Sequence, residues 1–105
     1  MGKIIAVDFD GTLFTDEYPN IGKPIWKTIN WCKRQKEIGN ILILWTCREN
    51  DDLAEAVEIC KSVGLFFDYV NSNTYENLKK YKLRDNRKIY ADIYLDDKAI
   101  NVRDI

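Results

Sequence analysis

The stretch Ile-Ile-Ala-Val-Asp-Phe-Asp-Gly-Thr, residues 4–12, decides the fold of this chain. It begins with an apolar run without polar alternation, which is typical of a strand buried on both faces in a parallel sheet. The run ends in Asp8 and Asp10, and Gly11 follows them. Residues i and i+2 of a strand face the same side. Both carboxylates are therefore expected at the carboxyl end of the strand, where open α/β sheets carry their sites.

Strand and helix patterns alternate along the rest of the chain. Apolar runs predict further strands over residues 41–45, 65–70 and 89–95. Between them, helices are predicted from Pro24 to a stop at Gly39, from caps at residues 50–52 to Gly64, and over residues 75–81 with Thr74 as the cap. Residues 13–23 and 82–88 are expected to be loops. This order predicts right-handed crossovers and one α/β domain, residues 1–105, with a parallel sheet.

Composition excludes several classes of function. The net charge of −1 gives no basic excess for nucleic acid or an anionic membrane, and the apolar runs are too short to cross a bilayer. The chain has no histidine and only three cysteines, without a Cys-x-x-Cys pair, so a zinc site or a histidine base is not expected. Unpaired cysteines and the lack of a signal sequence favour a reducing, cytoplasmic setting.

Polar groups follow three of the predicted strands. Asp8 and Asp10 follow the first, Thr46 the second, and Asp96 and Asp97 the last. A parallel sheet brings these positions to one edge, where each pair of like charges at about 4 Å costs roughly 4 kcal/mol at an effective dielectric near 20. Such a cluster needs a cation, and hard oxygen ligands without His or Cys indicate Mg²⁺.

Three motifs resemble those of the haloacid dehalogenase superfamily of Mg²⁺-dependent phosphohydrolases. Asp-Phe-Asp-Gly-Thr at residues 8–12 looks like its first motif, Trp-Thr-Cys-Arg at residues 45–48 its second, and Leu-Asp-Asp at residues 95–97 its acidic fourth motif. Residues 91–97 are also similar to the matching segment of the family's deoxyribonucleotidases. The match covers nearly the whole chain in the right order, and it implies a three-layer Rossmann-like core.

The resemblance also implies a role for each residue. Asp8 would attack phosphorus to give an aspartyl-phosphate, and Asp10 would act as acid and then as base. Mg²⁺ would be held by a carboxylate oxygen of Asp8, the backbone carbonyl of Asp10 and a carboxylate of Asp96, with Asp97 in support. Thr46 would donate a hydrogen bond to the phosphoryl group.

The family's third motif supplies a cation that binds the phosphoryl group. Lys88, which precedes the last strand, is the residue that we expect in this role. The alternatives for this role are Lys79, Lys80 and Lys82, and Arg87 would assist.

Four other residues near the expected site are open to a functional or a structural interpretation. Arg48 either contacts substrate or lies on the surface. Asn71 and Asn73 end the third strand at the same edge, but turn formation explains them equally well. Cys47 lies beside Thr46 but lacks the sequence context of a cysteine phosphatase, so it is expected in the core.

The chain departs from most of the family in leaving no room for a cap domain. A fifth strand is also missing after the acidic pair, so the sheet is expected to have about four strands in the order 3-2-1-4, with the last at an edge that the tail or another copy of the chain covers. An open site suits a large substrate or a homo-oligomer that closes it. The predicted activity is hydrolysis of a phosphate monoester, which leaves nucleotides, sugar phosphates and phosphorylated polymer ends open. The alternative is a non-catalytic module that binds Mg²⁺ and phosphate and acts through protein contacts.

Overall fold

Four parallel strands form the centre of the molecule in this computed structural model, which describes residues 2–80 and 89–105. The elements are β1 (Ile4–Val7), α1 (Trp26–Glu37), β2 (Ile41–Leu44), α2 (Asn50–Ser62), β3 (Tyr69–Val70), α3 (Tyr75–Lys80), β4 (Ile93–Leu95) and a final 3₁₀ turn (Val102–Asp104). The strand order is β3-β2-β1-β4, and the α/β sheet with this order confirms the predicted Rossmann-like core without a cap.

The direction of the chain reverses at β1. It first moves outward from β1 through β2 to β3, and then returns across the sheet to β4 on the other side of β1. Right-handed crossovers therefore place α1 and α2 on one face and α3 on the other. A crevice forms where neighbouring strands lead in opposite directions, so the carboxyl ends of β1, β2 and β4 border the site.

The core lies mainly on the α1 and α2 face. Alternate strand residues point into it, among them Val7 of β1 and Leu44 of β2, and they meet Ile29 and Cys32 of α1 and Cys60 of α2. Ile29 and Cys32 are three residues apart, so they lie on the same face of α1, and this is the face that packs. Burial of the thiols raises the pKa of both Cys32 and Cys60 to about 12, so they act as small apolar side chains.

The third and fourth strands are shorter than predicted, and an aspartate precedes each of them. Asp68 donates its backbone N–H to the carbonyl of Leu42 and accepts the Leu42 N–H on its carboxylate at 2.9 Å. Asp92 forms the same pair of bonds with Ile4 at 2.8 Å. In each case a carboxylate oxygen accepts an N–H that a main-chain carbonyl accepts in a regular sheet. Regular strand pairing therefore begins only after Asp68 and Asp92.

Helix termini agree with the sequence in part. Thr74 caps α3 by accepting the N–H of Asn77 on its hydroxyl at 3.2 Å, as predicted. The predicted cap for α2 at residues 50–52 is wrong: the N-cap is Glu49, and its side chain makes no capping bond. Asp51 and Asp52 instead lie in the first turn, where they complement the helix dipole.

No helix in residues 2–80 and 89–105 is long and apolar enough to span a bilayer. β4 lies at the edge of the sheet, as predicted, and pairs with β1. The tail after β4 carries exposed apolar side chains at Ile100, Val102 and Ile105.

Candidate active site

Three carboxylates meet at the carboxyl ends of β1 and β4. Asp8 follows β1 directly, and its backbone N–H donates to the carbonyl of Leu95 at 3.0 Å, which fixes the end of β1 against the end of β4. One carboxylate oxygen from each of Asp8, Asp96 and Asp97 lies within 4.8 Å of the other two. Asp8 is half-buried, whereas Asp96 and Asp97 are exposed. This is the acidic cluster that the strand ends predicted, and its spacing suits one metal ion.

The pKa of Asp8 is raised, mainly by burial. Burial raises the pKa of Asp8 to about 6, and repulsion from Asp96 and Asp97 adds to the effect. The backbone N–H of Phe9 and the hydroxyl of Thr12, 3.4 Å from Asp8 Oδ2, act in the opposite direction and lower the pKa. A nearby cation would favour the charged form of Asp8.

A lysine that the sequence analysis did not single out contacts the same cluster. The Nζ atom of Lys98 lies 3.0 Å from Oδ2 of Asp97, and its backbone N–H donates to Oδ1 of Asp96 at 2.9 Å. The hydrogen bond from Lys98 lowers the pKa of Asp97. The sequence already indicates a lysine at this position near the site, because Lys98 directly follows the acidic pair.

Two hydrogen bonds hold Thr46 at the site, one through its backbone and one through its hydroxyl. Its backbone N–H donates to Oδ1 of Asn71 at 2.8 Å, and its hydroxyl accepts the N–H of Arg48 at 3.2 Å. The hydroxyl proton is therefore left to donate elsewhere. Asn71 has a φ of 50°, a left-handed conformation that asparagine tolerates. The asparagine that sequence reasoning explained as a turn residue thus also positions Thr46.

Asp10 does not join the carboxylate cluster with its side chain. Both of its oxygens accept from the guanidinium of Arg48, at 2.8 Å from Nε to Oδ2 and 2.8 Å from Nη2 to Oδ1. Of the two interpretations of Arg48, the surface position is wrong, because its side chain is only 1% exposed. The substrate contact of Arg48 and the metal contact of the Asp10 backbone carbonyl stay predictions.

The loop over residues 13–23 forms the rim of the site. Arg48 donates to the backbone carbonyls of Pro19 and Asn20 in this loop. Tyr18 donates its hydroxyl to Asp52 of α2 at 3.3 Å, and its ring lies 5.0 Å from the Arg48 guanidinium carbon. The loop is therefore attached both to the end of β2 and to the start of α2.

The cavity at the carboxyl ends of the strands measures about 490 Å³. Its lining residues are Asp8, Asp10, Asp16, Tyr18, Thr46, Cys47, Arg48, Asp96, Asp97 and Lys98. The prediction that Cys47 lies in the core is wrong, because Cys47 is exposed on the wall of this cavity. The chain has already left β2 at this residue, so strand alternation no longer applies.

A solved structure resembles this chain over most of its length. No family model matches the chain, and no curated protein matches it. The structure of a conserved protein coded by a locus of Bacteroides thetaiotaomicron is 36% identical in sequence, with a TM-score of 0.83, over 95% of this chain and 79% of that one. This chain belongs to the family of that Bacteroides protein.

The structure brings together most of the residues that the sequence predicted for the site. Asp8, Asp96 and Asp97 form the cluster, and Thr46 and Arg48 line the same cavity. Lys88 lies outside the described residues, as do Lys82 and Arg87. Lys79 and Lys80 are exposed near the end of α3.

Proposed function

We propose that this protein is a Mg²⁺-dependent hydrolase of phosphate monoesters, related in mechanism to the haloacid dehalogenase phosphohydrolases. The observation that carries the proposal is the cluster of Asp8, Asp96 and Asp97, which shares one cavity with the hydroxyl of Thr46. This combination offers a metal site, a nucleophile and a phosphoryl hydrogen-bond donor within one small space. The order of these residues along the chain agrees with the motif resemblance.

The three carboxylates fit a magnesium ion chemically. They supply hard oxygen donors at mutual distances that one ion spans, and the raised pKa of Asp8 reflects in part a repulsion that a cation would relieve. Asp8, Asp96 and Asp97 would hold the ion, with the backbone carbonyl of Asp10 as a further ligand. When bound, Mg²⁺ neutralises phosphate charge and aligns the ester for attack.

The protein's own residues divide the reaction into two steps. A carboxylate oxygen of Asp8 attacks phosphorus, the bond to the ester oxygen breaks, and that oxygen leaves as an alcohol with a proton from Asp10. Asp10 then takes a proton from water as the water oxygen attacks phosphorus. The aspartyl-phosphate bond breaks, which releases inorganic phosphate and restores Asp8. Thr46 binds a phosphoryl oxygen through its free hydroxyl proton.

The phosphoryl group also needs a positive charge. Lys88 remains the residue proposed for this role, with Lys79, Lys80 and Lys82 as alternatives and Arg87 as an assistant. Lys98 is a further cation that already lines the cavity. Its ammonium group lies 3.0 Å from Oδ2 of Asp97, so it lowers the net negative charge that an incoming phosphate meets.

The open rim suits a substrate whose bulk lies outside the cavity. Nucleotides, sugar phosphates and the phosphorylated end of a polymer all meet this condition. A reducing, cytoplasmic setting is proposed from the three free thiols. A second copy of the chain is a candidate to cover the open edge of β4.

A phosphate-release assay with Mg²⁺ tests this proposal. The wild type and Asp8→Asn are compared on a panel of nucleoside monophosphates, sugar phosphates and phosphorylated oligonucleotides, with and without EDTA. We expect release by the wild type that needs Mg²⁺, and a loss of at least about 1000-fold without the nucleophile. Equal turnover by the two proteins would exclude the covalent mechanism.

The second candidate function is a non-catalytic module that binds Mg²⁺ and phosphate. It is favoured by one observation: both oxygens of Asp10 accept hydrogen bonds from Arg48, and its side chain does not join the carboxylate cluster. Calorimetric titration with Mg²⁺ and phosphate esters separates the two functions. Tight binding without turnover across the panel would support the module.

A further inference from the structure

Arg48 is the largest fully buried side chain in the part of the chain that the structure describes. Burial of a charge is costly unless the charge is paired and its hydrogen-bonding groups are satisfied. The Arg48 guanidinium meets this condition with four hydrogen bonds, two to Asp10 and one each to the carbonyls of Pro19 and Asn20. An arginine buried so completely at the rim of a site requires an explanation.

The acceptors of Arg48 belong to two separate segments. Asp10 follows β1, whereas Pro19 and Asn20 lie in the loop over residues 13–23. Two rings flank the guanidinium carbon at 5.0 Å, that of Phe9 from the core and that of Tyr18 from the loop. One side chain from the end of β2 therefore joins the proposed acid–base residue to the rim of the cavity.

The contact with Asp10 fixes the direction of its carboxylate. A bidentate pair of this kind holds the carboxylate in the plane of the guanidinium and uses one lone pair on each oxygen. The second lone pair on each oxygen stays available for a proton. Asp10 remains 17% exposed and lines the cavity. The pairing orients Asp10 without closing it off.

We propose that Arg48 is a positioning residue that fixes Asp10 and the loop over residues 13–23 as one unit, and that it does not bind substrate. Four of its N–H hydrogens are already committed to the protein, which leaves little donor capacity for a phosphate. The catalytic part of this inference rests on the proposed phosphatase function. The structural part, the union of Asp10 with the loop, does not.

Kinetics of Arg48→Met, Asp10→Asn and the double variant test the catalytic part. We expect Arg48→Met to lower kcat by about 100-fold, the effect of a misplaced acid–base group, while KM changes less than about threefold. Because Arg48 acts through Asp10, the double variant should be no slower than Asp10→Asn. A large rise in KM at unchanged kcat, or full multiplication of the two losses, would overturn the inference. Arg34→Met, at an exposed arginine of α1, is the matched control.

Proteolysis of the loop tests the structural part without any need for turnover. A glutamate-specific protease is used, and cleavage after the exposed Glu17 is followed by mass spectrometry. Loss of two backbone bonds should speed cleavage in Arg48→Met by about tenfold or more. Asp10→Asn should speed cleavage to a smaller degree, because it weakens the hold on Arg48, the side chain to which the loop is also bonded. Wild-type cleavage rates in Asp10→Asn would show that the two segments are independent, against the proposal.

Arg48→Lys is the second variant if methionine prevents folding. Lysine keeps the charge but lacks the planar fork that reaches both Asp10 and the two carbonyls. We therefore expect folded Arg48→Lys to be cleaved after Glu17 faster than Asp10→Asn, which in turn is cleaved faster than the wild type. If the wild type releases no phosphate from any ester, the proposed function fails and the cleavage rates still decide the union of Asp10 with the loop.

Discussion

Replacement of Asp8 by Asn is predicted to stabilise the metal-free protein at neutral pH. Burial and the carboxylates of Asp96 and Asp97 raise the pKa of Asp8 from 3.8 to about 6. An acid with a higher pKa in the folded state destabilises that state when it ionises. The cost is fully present above about pH 6 and disappears as the pH falls to 3.8.

The size of the effect follows from the pKa of Asp8. The full shift corresponds to about 3 kcal/mol, and solvent screening of a half-buried side chain reduces this to about 1–2 kcal/mol. Asn is uncharged and keeps an oxygen for the bonds that Phe9 and Thr12 offer. The free energy of unfolding of Asp8→Asn should therefore exceed that of the wild type by about 1–2 kcal/mol at about pH 7, and the difference should vanish near pH 4.

Urea unfolding in EDTA, followed by tryptophan fluorescence, measures this difference. The unfolding curves are recorded at several pH values between about 4 and 8 for both proteins. Asp104→Asn, an exposed aspartate in the final 3₁₀ turn, is the control and should show no comparable gain. A difference that does not change with pH, or a less stable Asp8→Asn at neutral pH, would refute the electrostatic reasoning.

Three further predictions concern the surroundings of Asp8. Mg²⁺ at 100 times its dissociation constant should stabilise the wild type by about 2.7 kcal/mol in thermal unfolding, and Asp96→Asn with Asp97→Asn should remove most of that gain. Asn71→Ala should cost about 1–2 kcal/mol in urea unfolding and reduce phosphate release, because Thr46 loses the acceptor for its N–H; an unchanged protein would contradict this role. Gly11→Ala should cost about 1–3 kcal/mol and weaken Mg²⁺ binding in calorimetry, because φ is +85° and the new Cβ would lie within 3.0 Å of the Asp97 carboxylate.

The sequence predicted the sheet because apolar runs define strands and alternation with helices restricts their order. Ile4–Val7 and Ile41–Leu44 lie within the predicted runs. The acidic cluster was predictable for a related reason, since parallel strands carry their carboxyl ends to one edge. The shortened β3 and β4 were not, because Asp68 and Asp92 replace main-chain acceptors with side-chain oxygens, which pattern analysis does not detect.

The roles of Arg48 and Asn71 needed three-dimensional information. An arginine after a strand is usually exposed, and only contacts distant in sequence, with Asp10 and the loop over residues 13–23, account for its burial. Asn71 was recognised as a turn residue, which its φ of 50° confirms. Its bond to Thr46 depends on the register between β2 and β3, which no local pattern specifies.

Detection of a phosphorylated Asp8 tests the central claim most directly. The protein is mixed with Mg²⁺ and a substrate that it turns over, quenched in acid within one turnover, and digested for mass spectrometry. We expect the peptide containing Asp8 to gain one phosphoryl group, located on Asp8, and Asp8→Asn to gain none. Full turnover by the wild type with an unmodified Asp8 throughout would contradict the account.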